Sequence, residues 1–287
     1  MALVAAVTAL ALMSVLAFGL AETSALDARH VEKSLAGLQA DALARSGVAV
    51  AAVVLAETGA AGAPDTLRSP WATDVGRQAL GPGWVEVHVE DEARRLDLDA
   101  PELADAVPRL LTLLGLDPGL ADALADWTDA DDEPRPRGAE RDWYLMQTPP
   151  SVPRNAPFAS PRELGLVRGV AAVLARLRPY VTVAGEHAVN PNTAPREVLL
   201  AVVEDAAAVD RVLAARLRGP IAAEDVAALL PDATPAVRLA LTPRGGHYTV
   251  RATGAVGALR RTLEATLSAP PGVEPRVVAW RALEPGG

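Results

Sequence analysis

The chain has 287 residues, half of them hydrophobic but only 3% aromatic, and a formal net charge of −9. The length allows one large domain or two small ones, and the shortage of aromatic residues means that the core is built mainly from alanine, valine and leucine. The negative charge argues against a nucleic-acid partner, and the absence of cysteine excludes disulfides, thiolate catalysis and cysteine metal sites.

An apolar segment opens the chain. Residues Ala2 to Ala21 include no charged side chain. About 20 residues, at about 1.5 Å rise each, match a hydrocarbon core of about 30 Å, so this segment is predicted to cross a membrane as a helix. A cleaved signal peptide is the alternative, but a basic n-region is missing and the apolar run exceeds a typical signal core. A retained anchor is therefore preferred.

The helix is predicted to continue beyond the membrane. Residues Glu22 to Glu57 include no proline, and apolar residues recur there at three- and four-residue steps, at Val31, Leu35, Leu38 and Ala42. This spacing is typical of an amphipathic helix. It predicts one helix from near Met1 to about Glu57, apolar in its first half and half-buried in its second.

A loop and two strands are predicted next. Glycine and proline residues break any periodicity from Gly59 to Gly83. In residues 84–90 valines alternate with polar residues, which predicts a half-buried antiparallel strand. After a turn at residues 91–93, Arg95 to Leu98 is predicted to pair back as a second strand.

The hydrophobic period changes at Asp99 from two to about 3.6, which predicts a block of helices. Capping boxes are predicted at Asp99 with Glu102 and at Ser160 with Glu163. An acidic loop that contains prolines is predicted at residues 126–141. The predicted helical segments are 101–114, 118–127, 170–177, 194–204, a further stretch to 217, 223–230 and 235–240.

The period returns to two near Thr242, and strands are predicted at 247–253, 259–267 and 277–283. The simplest topology is one antiparallel sheet, packed on the long helix, with a helical domain inserted between its second and third strands. This α+β arrangement divides the chain into five segments: 1–21, the transmembrane half of the helix; 22–58, its other half; 59–98, the loop and first strands; 99–241, the inserted helical domain; and 242–287, the remaining strands.

This architecture resembles that of type IV pilins and type II secretion pseudopilins. Several stretches resemble the minor pseudopilin K (GspK) family, in the right order from Met1 to about Leu283: residues 1–4, 85–92, 96–99, 126–132, 138–140 with Tyr144, 155–158, 163–164 and 189–194. The resemblance implies a pilin-like fold. It also implies a non-enzymatic subunit at the tip of the type II secretion pseudopilus, which primes and caps the filament for protein export across the outer membrane.

The resemblance further implies how the subunit is anchored and assembled. The expected protein crosses the inner membrane once, has its bulk in the periplasm, loses a leader to prepilin peptidase and carries a methylated N-terminus. Its expected partners are the I- and J-type minor pseudopilins and the major pseudopilin. The residues expected to serve assembly are Met1, Ala5, Leu10, Leu12 and Leu16.

Ala5 departs from the common pilin pattern. If Met1 is the mature first residue, Ala5 stands at position five, where most pilin-like proteins carry a glutamate and K subunits characteristically do not. An unpaired carboxylate in lipid is expensive. A subunit without it needs no neighbour above it, which suits a tip position.

The acidic loop is the predicted metal site. Hard oxygen ligands in a flexible loop suit Ca²⁺, and the resemblance implies a structural calcium site in this domain. Asp129, Asp131 and Glu140 are preferred within a candidate ligand set of Asp126, Asp129, Asp131, Asp132 and Glu140. The alternative is a solvated acidic surface, neutralised by Arg135, Arg137 and Arg141.

A DNA-binding protein of an uptake or type IV pilus system is the alternative function. Residues 160–183 and 189–203 resemble helix-hairpin-helix units, which bind phosphates through backbone amides and basic residues beside a glycine turn. Here that turn would hold Gly169 and Arg168, but the net charge of −9 opposes it. Enzymatic chemistry finds little support, because the four histidines are widely separated and no G-x-S-x-G elbow or phosphate loop occurs.

Overall fold

The fold is described from a computed structural model, which covers residues 1–74 and 76–283 apart from the side chains of Ala5 and Ala25. Its first element is the helix α1, Ala2–Ala60, roughly 90 Å long. Among the side chains of α1 that the structure describes, the buried ones lie in its second half, at Ala40, Leu43, Ala44, Gly47, Val48, Ala51 and Leu55. The single long helix predicted from the sequence is confirmed.

The buried face of α1 differs from the predicted one. Val31, Leu35 and Leu38 are 67%, 54% and 71% exposed, and Ala42 is exposed as well. The first three precede Ala40, the first buried residue described in α1, and Ala42 lies on the exposed side of the helix. The prediction that these four residues form the buried face of the helix was therefore wrong.

The strands are β1 (Gln78–Leu80), β2 (Gly83–Asp91), β3 (Leu96–Asp97), β4 (Val181–Thr182), β5 (His247–Val256), β6 (Leu259–Ser268) and β7 (Arg276–Leu283). The main sheet is antiparallel, with the spatial order β1-β2-β5-β6-β7. Strand β5 alternates as expected for a sheet with one covered face: Tyr248, Val250 and Ala252 are buried, whereas Arg251 is exposed.

Helix and sheet approach each other at two glycines. A Cβ atom on Gly254 of β5 would lie 2.1 Å from the carbonyl oxygen of Ala40 and 2.6 Å from the amide nitrogen of Ala44. A Cβ atom on Gly47 of α1 would lie 2.8 Å from the side chains of Val85 and Val87. Both glycines are required because any larger side chain would push the two layers apart.

The block between β2 and β5 is mainly helical. It contains α2 (Ala106–Leu113), α3 (Leu120–Thr128), α4 (Arg141–Leu145), α5 (Leu174–Leu177), α6 (Arg196–Val203), α7 (Ala206–Arg218), α8 (Ala223–Leu229) and α9 (Pro235–Leu239). This block encloses its own hydrophobic core, which includes Leu110, Trp127 and Leu199. The predicted insertion of a helical block between strands of the sheet is thus confirmed, but it follows β2 directly, because the predicted second strand at residues 95–98 is not part of the main sheet.

Several local predictions were wrong. Leu96–Asp97 does not pair back with β2 but runs parallel to Val181–Thr182, and the predicted loop before β2 contains β1, which forms a hairpin with β2. The Asp99 carboxylate caps no helix and instead accepts the backbone N–H of Phe158 at 3.1 Å. Neither predicted capping box has a side-chain cap, and both sites begin short 3₁₀ turns, at Pro101–Leu103 and Glu163–Gly165.

A buried polar cluster, here called the polar junction, joins the sheet to the inserted domain. Asp91 at the end of β2 accepts hydrogen bonds from Asn190 Nδ2 at 2.9 Å and from Thr193 Oγ1 at 2.8 Å. Asp65 accepts the Tyr248 hydroxyl at 2.7 Å, and its backbone carbonyl accepts Asn190 Nδ2 at 3.1 Å. Because every one of these groups is partnered, the junction fixes the domain on the sheet.

The inserted domain lies at the end of the sheet farthest from the apolar segment. Arg244, just before β5, donates through Nη2 to the carbonyl oxygen of Gly59 at 2.8 Å. Gly59 is the second-to-last residue of α1. The opposite end of β5, at Gly254, faces Ala40, nearer the apolar half of α1. The order along α1 is therefore the apolar segment, the sheet and then the inserted domain.

Candidate functional site

Three acidic residues converge in the acidic loop. Asp126 lies in the last turns of α3, Asp129 directly follows that helix, and Glu140 directly precedes α4. One carboxylate oxygen from each lies within 4.8 Å of the others. Gly138 permits this approach, because a Cβ atom there would lie 1.8 Å from Asp126 Oδ2.

Glu140 is the unusual member of this group. Its side chain is buried, and neither carboxylate oxygen has a hydrogen-bond partner; Asp129 Oδ1 is likewise unpartnered. Burial, followed by the negative charges of Asp126 and Asp129, raises the pKa of Glu140 to about 7. A buried carboxylate without a donor is costly, so its two oxygens are available to a cation.

Arg135 supplies the positive charge now present at the site. Its Nη1 donates to Asp126 Oδ1 at 2.6 Å and also contacts Asp129, while its backbone N–H donates to Asp126 Oδ2 at 3.1 Å. These bonds raise the pKa of Arg135. Arg137, the second predicted neutralising residue, pairs with Asp117 instead.

Asp131 and Asp132 lie on the rim of the loop, outside the three-residue group. Both are exposed; Asp131 Oδ1 accepts the backbone N–H of Glu133 at 2.9 Å, and Asp132 Oδ1 accepts Asn155 Nδ2 at 3.3 Å. Asn155 was not among the predicted ligands, yet its Oδ1 is buried and unpartnered beside the loop. Only its place in a stretch that resembles the K family could have drawn attention to it.

Arg168 braces the acidic loop. Its Nη1 donates to the Gly138 carbonyl at 2.6 Å, its backbone N–H donates to the Tyr144 hydroxyl at 3.1 Å, and its guanidinium lies 5.3 Å from the centre of the Trp143 ring. This arginine had been considered for phosphate contact in a helix-hairpin-helix unit. Its guanidinium is instead used within the domain.

The predicted assembly residues lie on the apolar half of α1. Leu10, Leu12 and Leu16 are 64%, 65% and 72% exposed, and Met1 is fully exposed; the side chain of Ala5 lies outside the described residues. The helix contains an 18-residue window of mean hydropathy 2.4 with none of it buried. It is therefore long and apolar enough to anchor the chain in a membrane.

The region that includes the acidic loop is similar to a known protein family. Residues 90–186 match the family model described as type II secretion system (T2SS), protein K. Over these residues the chain is similar to that family. The resemblance predicted from the sequence is confirmed, and the DNA-binding alternative is not favoured.

Two curated relatives are similar to a longer part of the chain. The chain is 33% identical over 177 residues to type II secretion system protein K of Pseudomonas aeruginosa, covering 56% of this chain and 53% of the relative. It is 33% identical over 205 residues to the protein K of Klebsiella pneumoniae, covering 64% of this chain and 63% of the relative. The chain thus spans between half and two thirds of the length of these curated relatives.

The fold also has a solved counterpart. A chain in the crystal structure of the GspK-GspI-GspJ complex from enterotoxigenic Escherichia coli superimposes with a TM-score of 0.73. The match covers 90% of this chain and 100% of the other, at 19% sequence identity. The predicted pilin-like fold, with a long helix packed on an antiparallel sheet, is therefore confirmed.

Proposed function

We propose that this protein is a minor pseudopilin of the K type, a non-enzymatic subunit at the tip of a type II secretion pseudopilus. The observation that carries the proposal is the order of parts along α1. An exposed apolar segment is followed by a pilin-like sheet, and the inserted domain lies at the far end. A domain in that position blocks the addition of another subunit above it, so the protein primes and caps the filament.

The apolar half of α1 anchors the protein in the inner membrane, with the sheet and the inserted domain in the periplasm. The expected partners are the I- and J-type minor pseudopilins, followed by the major pseudopilin, and prepilin peptidase processes the N-terminus before assembly. The chain of known structure that shares this fold lies in a complex with such proteins. Packing between apolar helices in the membrane supplies the contact.

Cysteine cross-linking tests this assembly, because the natural chain contains no cysteine. Leu12→Cys or Leu16→Cys in the full-length chain, expressed with I- and J-type partners that carry one cysteine in their apolar helices, is expected to form heterodisulfides. Val152→Cys is the matched control, since Val152 is 49% exposed but lies in the inserted domain. Equal cross-linking at position 152, or none at either helix position, would contradict the proposal.

We also propose that Asp126, Asp129 and Glu140 hold a structural Ca²⁺ ion. The residues fit the ion because their carboxylates converge, both Glu140 oxygens lack donors, and Asn155 Oδ1 is unpartnered nearby. Ca²⁺ takes six to eight oxygen ligands, so exposed Asp131 and Asp132 can complete the set as rim ligands. The bound ion would cancel the carboxylate repulsion and release Arg135 from its present role as counter-charge.

A melting experiment on the full-length protein in detergent tests the metal site. Ca²⁺ at about 100 times its dissociation constant is expected to stabilise the folded state by about 2.7 kcal/mol and so raise the melting temperature. Asp129→Ala/Glu140→Ala should abolish that rise, whereas Asp131→Ala/Asp132→Ala should reduce it. Without Ca²⁺, Glu140→Ala alone should raise the melting temperature, because it removes a buried, unpartnered carboxylate. An equal Ca²⁺ response in all variants would exclude the site.

A further inference from the structure

A trough runs between the sheet and the inserted domain, away from the acidic loop. Its main cavity has a volume of about 510 Å³, and a second cavity of about 350 Å³ continues it, since both are lined by Glu90, Arg95, Arg178, Thr249 and Arg251. The floor is the face of the sheet that points away from α1. The roof is formed by two segments of the inserted domain, 159–164 and 175–184.

The carboxylates of the trough already have counter-charges. Glu264 on the floor pairs with Arg251 at 3.1 Å and also contacts Arg281. Glu92 pairs with Arg95 at 2.8 Å, and Arg95 also contacts Glu90. The acidic groups of the trough are therefore neutralised within the protein.

Two arginines of the roof remain without a counter-charge. Arg162 and Arg178 are exposed, line the main cavity and form no ion pair with any residue that the structure describes. The main cavity contains five arginines and three glutamates. A positive trough on a chain of net charge −9 is a local exception, and it favours an anionic ligand.

The shape of the trough favours an extended ligand. The lining residues of its floor come from β2, β5, β6 and β7, and strands about 4.8 Å apart give a length of roughly 14 Å. That length suits about four residues of an extended peptide at about 3.3 Å each. At one end lies β7, which pairs only with β6 among the described strands, so its free edge offers backbone donors and acceptors to the end of a bound segment.

We propose that this trough binds an extended acidic polypeptide segment, whose carboxylates pair with Arg162 and Arg178. The segment crosses the outer face of the sheet and reaches the free edge of β7. This binding site is separate from the membrane helix and from the acidic loop. It gives the protein a place for a second protein that does not compete with assembly through α1.

Fluorescence anisotropy on the full-length protein in detergent tests the proposal. The probe is a fluorescein-labelled octapeptide of alternating glutamate and valine, which favours an extended conformation. Saturable binding is expected, and Arg162→Glu/Arg178→Glu should weaken it by about tenfold or more. The matched control is Arg68→Glu/Arg218→Glu, which changes the net charge equally at exposed arginines outside the trough and should change affinity less than about twofold.

Further control measurements distinguish specific binding of an acidic peptide from nonspecific attraction of anions. The lysine–valine octapeptide should not bind, and salt should weaken binding of the acidic peptide. Inorganic phosphate should displace the acidic peptide no more than chloride does at the same ionic strength. Three outcomes would overturn the proposal: no saturable binding, equal loss in both double variants, or displacement of the peptide by phosphate beyond that by chloride at the same ionic strength. Tighter binding of a single-stranded oligonucleotide than of the peptide would also overturn it, in favour of a nucleic-acid site.

Discussion

The two hydrophobic cores of this protein differ in how closely their backbones approach and in how rich they are in leucine and valine. Between α1 and the sheet the core contains several alanines, such as Ala44, Ala252 and Ala265, and the backbones approach closely at Gly254. The core of the inserted domain is larger and is richer in leucine and valine, which fill the space between its short helices. The first core is therefore sensitive to atoms that are added, and the second to atoms that are removed.

The largest effect is expected where an added side chain would meet backbone. Gly254→Val should lower the free energy of unfolding of the sheet and α1 by more than about 3 kcal/mol, because the backbone of Ala40 and Ala44 cannot rotate away as a side chain can. Chemical unfolding followed by fluorescence measures this. Gly59→Ala is the control: its Cβ meets nothing within 4 Å, and as a helical substitution it should be slightly stabilising.

The inserted domain should respond to a deletion instead. Leu110 is fully buried in α2, and Leu110→Ala should lower the free energy of unfolding by about 3 kcal/mol through lost transfer energy and a cavity. Leu113→Ala in the same helix, at a site 41% exposed, should cost much less. The emission of Trp127 and Trp143, with the other tryptophans replaced by phenylalanine, reports this domain. If both variants lost the same free energy of unfolding, burial of Leu110 in the core would contribute nothing beyond what the exposed Leu113 contributes.

The polar junction should make stability depend on pH. Burial, with the charge of Asp65 as a further contribution, raises the pKa of Asp91 from 3.8 to about 6. Between these two values the folded protein holds a proton that the unfolded chain has released. Stability due to Asp91 is therefore greatest below about pH 4 and falls as the pH rises to about 6, by about 2–3 kcal/mol.

Asp91→Asn isolates this contribution, because asparagine does not titrate. The difference in unfolding free energy between the natural protein and Asp91→Asn should vary between about pH 4 and pH 6 and stay constant above it. Exposed Asp232→Asn should show no such variation. A difference that does not change with pH would show that Asp91 keeps the same charge in both states.

The smallest effect is expected at a helix cap. Asp205 Oδ1 accepts the backbone N–H of Ala207 at 2.9 Å and so begins α7. Asp205→Ala should destabilise the inserted domain by about 1 kcal/mol. Asp210→Ala, which removes only an exposed ion pair with Arg196, should cost less than about 0.5 kcal/mol. If the two variants lost equal stability, the cap would have no special role.

Sequence periodicity predicted the elements whose environment is uniform along their length. The alternation in residues 84–90 correctly predicted β2, because one face of that strand lies on α1 throughout. It failed for Leu96–Asp97, since the partner of a two-residue strand depends on where distant β4 lies. It also failed for Val31 and Leu35, because periodicity locates a helical face but not the point where a partner layer begins.

The sequence predicted where the candidate site lies in the chain but not how its carboxylates are arranged in space. The acidic composition of residues 126–141 was enough to locate it. The convergence of Asp126 and Glu140 depends on how α3 and α4 end and begin around Gly138, which no local pattern encodes. The support from Arg168 spans 30 positions and was equally beyond local patterns.

The register at the end of β2 has a topological consequence. Asp91 lies opposite Tyr248, so the entry and exit of the inserted domain stand on neighbouring strands only about 5 Å apart. A short turn could bridge that gap, and lengthening a loop costs little entropy. The domain is thus an insertion in the connection between two adjacent antiparallel strands, which could otherwise form a simple hairpin. Evolution could exchange, enlarge or remove it while the underlying strand order stayed the same.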